Sequence, residues 1–162
     1  MRTMSLLTWN EQLQNNHPQM DATHREFVDM LNDLAAAQAG GATDLLARYD
    51  TLIEHTVEHF AQEDRWMDAT GFTPDNCHSN QHRQVLDLLR EVRRRVVDEG
   101  QHDLIPRLLP ELAQWFEQHA QMMDAALVFH MGEVGYDAAS GRIEKPITPE
   151  AAISGCGGST CS

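Results

Sequence analysis

Lysine is all but missing from this chain. Of 162 residues one is lysine, Lys145, and twelve basic residues stand against twenty-five Asp and Glu, for a formal charge of −13. A surface of that sign has little with which to track a phosphate backbone, so nucleic acid is excluded as a partner. Nowhere do eighteen apolar residues follow one another, and Met1–Gln14 carries one Arg and no continuous apolar run. Neither a membrane span nor a signal peptide is expected. Cysteine is scarce: Cys77, Cys156 and Cys161 form no even framework, which suits a reducing compartment and a soluble, cytoplasmic protein. Strand-like alternation is missing as well. What the chain has in excess is histidine, nine residues or one in eighteen, and their positions carry the functional reading.

Four segments repeat apolar residues near a period of 3.6, with breakers between them. The first runs from Pro18 to about Gln38 and stops at Gly40-Gly41. The second, capped by Thr43, carries Leu45, Leu52, Phe60 and Met67 until Gly71 and Pro74 end it. Asp75 or Asn76 caps the third, which ends at Gly100. The fourth starts near Asp103, bends at Pro110, where the ring clashes with the carbonyl four residues back, and continues through Phe129. Helices of this length joined by short loops imply an all-α fold, an up-down-up-down antiparallel four-helix bundle. The bundle spans residues 18–131. Residues 1–17 form an N-terminal arm anchored by Trp9 and Leu13, and residues 132–162 a C-terminal tail expected to be mobile unless a partner or metal orders it.

Histidines and carboxylates recur at helical spacings. His59 and Glu63 are four apart on the second helix, and His78 and His82 are four apart at the start of the third, so each pair points to one place. The first helix offers His24, and the fourth offers His119 with Asp124. Five residues turn an α-helix by about 140° past one full turn, so that last pair requires a local distortion or a reach by the short carboxylate. Five imidazoles and two carboxylates exceed the four ligands of a tetrahedral zinc site and fit two metals sharing bridging carboxylates. A donor set of imidazole and carboxylate without thiolate suits iron, although affinity order alone favours copper or zinc and metal supply decides. Buried without a partner, these groups would cost stability.

In these residues the chain resembles the hemerythrins. The likeness covers about Leu7 to Phe129. It runs through Trp9 and Leu13, Asp21-Ala-Thr-His24 with Phe27, Asn32-Asp-Leu34, His59-Phe-Ala-Gln-Glu63-Asp64 with Met67, then Pro74, His78-Ser-Asn-Gln-His82, Trp115-Phe-Glu-Gln-His119 and Asp124. It implies a di-iron centre (Fe2+/Fe3+) in which His78, His82 and His119 hold one iron, His24 and His59 hold the other, and Glu63 and Asp124 bridge them beside an oxo or hydroxo group. It further implies O2 binding on the two-His side, for storage, delivery or sensing, with Phe27, Phe60, Trp115, Phe116 and Ala120 around the open position. Two positions depart from the family. Ala120 stands where Ile is common, and His55 where bacterial members often have Tyr, one turn before His59, on the ligand face. Both point to faster autoxidation or to admission of nitric oxide or peroxide. A di-iron enzyme reducing either, or a sensor using the cysteine-containing tail, is the alternative. The oligomeric state stays open, a monomer being the simpler reading.

The remaining histidines, His17, His102 and His130, read as ordinary surface or core residues. Arg93-Arg94-Arg95 complements the C-terminal dipole of its helix. Cys156 and Cys161 read as a redox pair, a soft-metal clamp or neither, and Cys77, beside His78, as an ordinary helix-start cysteine open to oxidation by peroxide.

Overall fold

A computed structural model describes residues 5–145 and 152–154. Its helices are α1 (Pro18–Ala39), α2 (Leu45–Ala69), α3 (Cys77–Glu99), α4 (Leu104–His119) and α5 (Ala125–Val134), with a π-helical turn over Ala120–Asp124 joining the last two into one rod. Among the described residues there is no strand beyond two isolated bridges. α1 packs on α2 and α4, and α3 on α2 and α4. These neighbours close the four-membered ring of an antiparallel bundle.

Local chemistry fixes the helix ends. Pro18 occupies the first turn of α1, where its missing N–H costs nothing, and the ring of His17 accepts from the Met20 amide. Asp44 is the cap position of α2, one residue beyond Thr43, without a side-chain cap bond. The Asn76 side chain accepts from the Ser79 amide and starts α3, and Gly100, at φ 65°, ends it in a left-handed conformation that few other residues adopt at low cost. α4 continues through Pro110. The irregularity of the fourth helix lies ten residues later, in the π turn.

Apolar side chains form two separate clusters. The larger holds Leu13, Phe27, Leu31, Tyr49, Leu52, Phe60, Leu89, Leu112 and Phe116, and the smaller Met20, Trp66, Met67, Leu127 and Met131. Along α1 the order is Met20, His24, Phe27; along α2 it is Phe60, Glu63, Trp66; along the last rod it is Phe116, His119, Asp124, Leu127. Each rod therefore passes from one apolar cluster to the other through a polar layer. Tyr49 ties α2 to α3 by donating to the Leu89 carbonyl at 2.6 Å. The arm is stitched to α1 by Asn32, whose side-chain oxygen accepts from the Leu6 and Leu7 amides at 2.8 and 3.1 Å and whose amide donates to the Leu7 carbonyl. Leu7 and Leu13 enter the core, and Arg25 lies over the Trp9 ring.

Candidate metal centre

The polar layer is made by His24 of α1, His59 and Glu63 of α2, His78 and His82 of α3, His119 of α4 and Asp124 of the π turn. None of the seven is more than 5 % exposed. The five-residue spacing of His119 and Asp124 is met by the π turn: the Ala125 amide bonds back to the Ala120 carbonyl, five residues earlier. A π turn takes up one more residue than an α turn, and this returns Asp124 to the face of His119. His119 Nε2 and Asp124 Oδ1 are 3.1 Å apart.

The donors fall into two groups within 4.8 Å: Glu63, His78, His82, His119 and Asp124, and His24, His59, Glu63 and Asp124. The carboxylates belong to both, one oxygen to each. Glu63 Oε1 lies 3.3 Å from the Nε2 atoms of both His78 and His82, and Asp124 Oδ1 lies 3.0 Å from that of His78. On the opposite side Glu63 Oε2 approaches His59 Nε2, and Asp124 Oδ2 lies 3.1 Å from His24 Nε2. His78 and His119 bring Nε2 atoms to 3.1 Å, and His82 and His119 to 3.3 Å. Two donors each about 2.1 Å from one ion and at right angles to each other are about 3 Å apart, so this spacing suits octahedral donors around a cation. His24 Nδ1 and Nε2, His59 Nδ1, Glu63 Oε1 and both Asp124 oxygens are buried without a hydrogen-bond partner. Such atoms are costly unless something else satisfies them. The donor set fits two cations sharing two carboxylate bridges.

The electrostatics point the same way. Burial pushes His24 down, but Asp124 and Glu63 outweigh it and lift it to about 10; His78 rises to about 9 against the same desolvation. Glu63 and Asp124 are held well below the usual carboxylate range, because the surrounding imidazoles outweigh the desolvation that acts to raise them. His119 is lowered by burial and by its neighbours His78 and His82, which Asp124 does not offset. Without a metal, the two carboxylates are balanced by protons on imidazole. A cation takes the place of those protons.

Two supporting residues lie within the motifs that carry the family likeness, yet no spacing marks their role. Asp64 Oδ1 accepts from His82 Nδ1 and from Ser79 Oγ, each at 3.0 Å, and Gln81 Oε1 lies 3.2 Å from His119 Nδ1. Each sits next to a ligand-type residue and so about 100° away from it around its own helix, facing a neighbouring helix. Spacing within one helix cannot reveal such a contact. His55, expected on the ligand face, is turned toward α1, where its Nε2 lies 3.0 Å from Glu26 Oε2. His17 caps α1 and packs on Trp66, and His130 Nε2 lies 2.7 Å from the Thr70 carbonyl.

The five aromatic and small positions divide between the two sides. Phe116 lies edge-on to His24, with ring centroids 5.1 Å apart, and Phe27 packs on Phe116 at 4.7 Å. Phe60, next to His59, stacks on His82 at 4.0 Å, and Trp115 stacks on His119 at 4.5 Å. Ala120 is fully buried.

Residues 16–128 match the family described as Hemerythrin HHE cation binding domain. The chain belongs to this hemerythrin family. It is similar to a bacteriohemerythrin of Ralstonia nicotianae, 41% identical over 135 residues that cover 83% of this chain and 96% of that protein. The bacteriohemerythrins of Stenotrophomonas maltophilia, 27% identical over 76% of this chain and 80% of theirs, and of Methylococcus capsulatus, 23% identical over 75% and 93%, are more distant. The hemerythrin match ends at residue 128, four residues beyond Asp124. No helix among the described residues is long and apolar enough to cross a membrane.

Proposed function

We propose that the protein binds dioxygen reversibly at a di-iron centre, with His78, His82 and His119 on one iron, His24 and His59 on the other, and Glu63 and Asp124 bridging. The observation that carries this reading is the division of each carboxylate, one oxygen toward each imidazole group. When bound, a pair of ferrous ions supplies the two electrons on which reversible dioxygen binding draws. The chain's own contribution is positional and electrostatic. Asp64 and Gln81 fix the ring orientations of His82 and His119, which keeps the Nε2 lone pairs aimed inward. Phe27, Phe116 and Ala120 keep water from the side with two histidines, where donors are fewest. A dry wall there slows loss of reduced oxygen to solvent, the event that turns a carrier into an oxidised, inactive protein.

The working unit is the bundle, residues 18–131, with the arm and tail as additions to it, acting as a monomer in the cytoplasm. Nitric oxide and peroxide are small enough to use the same opening, and Ala120, smaller than the Ile common in the family, leaves them room. Stopped-flow mixing of the anaerobically reduced protein with oxygenated buffer separates carrier from enzyme. A carrier forms a visible charge-transfer band that vanishes when oxygen is removed and returns on aeration. Immediate oxidation that no deoxygenation reverses, with catalytic consumption of added peroxide, overturns the carrier reading.

A further inference from the structure

The two imidazole groups of the metal layer differ in what lies behind them. On the side with three histidines, His82 Nδ1 donates to Asp64 and His119 Nδ1 faces Gln81. On the side with two, the Nδ1 atoms of His24 and His59 are both buried without a partner. A third such nitrogen belongs to His55, one turn before His59 on α2. Its Nδ1 is buried and unpartnered, while its Nε2 reaches Glu26 Oε2 at 3.0 Å across the seam between α1 and α2. The His55 side chain is 17 % exposed and that of Glu26 65 %, so the pair stands where this seam meets solvent.

Chemistry gives each of these nitrogens a direction. An ionised Glu26 only accepts, so His55 donates through Nε2–H, and the Nδ1 of its neutral ring is left as a lone pair. A metal on His59 Nε2, the nitrogen that faces Glu63 Oε2, keeps the ring proton on Nδ1 and makes that atom a donor. The two rings, with centroids 6.3 Å apart, thus present one buried donor and one buried acceptor, each unsatisfied. Nitrogens that face each other across this separation are about 4–6 Å apart, too far for a direct bond and suited to one water making two bonds of about 2.8 Å. Leaving both unmade costs stability, and a polar gap with matched partners is where a protein holds internal water.

We propose that Glu26, His55 and one bound water form a relay that holds His59. The His59 Nδ1–H donates to the water, the water donates to His55 Nδ1, and the His55 Nε2–H donates to Glu26. The relay rests on the reading that His59 ligates a metal through Nε2, and it makes His55 a positioning residue for that ligand. What Asp64 does for His82 by direct contact, Glu26 does for His59 through a water and a second imidazole. A bonded Nδ1–H fixes the plane of the ring and makes Nε2 the stronger donor to a metal. No proton is transferred along the relay. Its effect is to hold the ion on the side with two histidines, where protein donors are fewest.

Crystals of the metal-loaded full chain read the relay directly. One ordered water is expected within about 2.7–3.2 Å of both His55 Nδ1 and His59 Nδ1. A protein group bonded to His59 Nδ1 in its place, or a gap without ordered water, overturns the proposal. Release of the two ions to a chelator reads its effect. His55→Leu is expected to speed the loss of one ion about tenfold and to leave the other at the parent's rate. His55→Asn sets an amide oxygen where Nδ1 stands but gives up Glu26, and should keep the parent's slow release. His55→Gln keeps a partner for Glu26 but has no acceptor at the Nδ1 position, and should release that ion as fast as His55→Leu. The reverse order for Asn and Gln, parent-like release from His55→Leu, or equal acceleration of both ions overturns it. Circular dichroism checks that the variants fold, and the crystals need no variant. Neither readout uses dioxygen, so a protein that holds two ions and this water but forms no reversible oxygen band fails the dioxygen reading alone.

Discussion

At the scale of single residues, what holds the site is orientation as much as ligation. Asp64 is partly exposed, so its attraction for His82 is weak as a free charge, yet the bond to Nδ1 selects the tautomer that leaves Nε2 as the donor. Asp64→Ala is expected to raise the rate of iron loss to a chelator by about 10- to 100-fold without unfolding the bundle, the usual range for partners of metal-bound histidines. A loss rate equal to the parent's contradicts this role. Tyr49 is a case where structure and not site is at stake. Burial, with the nearby Asp50 charge, raises its hydroxyl above the ordinary range, and the O–H donates to Leu89 across the core. Tyr49→Phe removes one buried hydrogen bond and should cost about 1 kcal/mol in urea unfolding while leaving metal content unchanged.

At the scale of elements, the π turn decides whether the fourth helix contributes two donors or one. Removing Gln121, which is exposed, makes His119 and the aspartate four residues apart, a spacing that an ordinary α-helix places on one face. The shortened protein should keep its helix content and its two metals. Inserting one alanine after Gln121 rotates the carboxylate by about 100° away from the layer, and metal analysis should then find fewer than two ions per chain. Retention of two by the insertion variant contradicts the assignment of Asp124.

The helices themselves were legible because apolar residues at a period of 3.6 and breakers at Gly40-Gly41, Gly71, Pro74 and Gly100 agree with one another. The seven donors were legible because four of them pair at i, i+4. Less legible was anything that depends on a contact between elements. The distortion demanded by His119 and Asp124 was foreseeable as a need, but its form as a π turn depends on packing of the whole rod, and Pro110, the expected place for a bend, lies within α4. Asp64 and Gln81 act across helix interfaces, and the return of Ile153 to Thr73 joins residues 80 positions apart, with no periodic signal between them.

At the scale of the whole molecule, the bundle encloses a layer of two carboxylates and five imidazoles, and the charge state of that layer sets how stability depends on pH. In the metal-free protein His24 titrates near 10 and His78 near 9, above the unfolded value near 6.5. Their contribution is complete below about pH 6.5 and is lost as the pH rises through 9 to 10. Glu63 and Asp124 are shifted down, so theirs is present above about pH 4 and is lost on acidification. Urea midpoints of the metal-free protein should therefore be highest between about pH 5 and 7 and fall by pH 10.5. With metal the order reverses for imidazole, because ligation requires neutral rings. Binding at pH 7 should release protons from His24, His78 and His82, the three imidazoles that neighbouring carboxylates lift above their free value, measurable with an indicator dye, and acid should expel the ions before the helices unfold. Uptake that releases no proton contradicts the electrostatic reading.

The claim beneath all of this is that two metal ions occupy one buried layer and share two carboxylates. Anomalous diffraction at the iron absorption edge, on crystals of the protein as isolated from cells, tests it most directly. Two iron peaks are expected, each within about 2.3 Å of one oxygen of Glu63 and one of Asp124; a single peak, a zinc edge or an empty layer contradicts it.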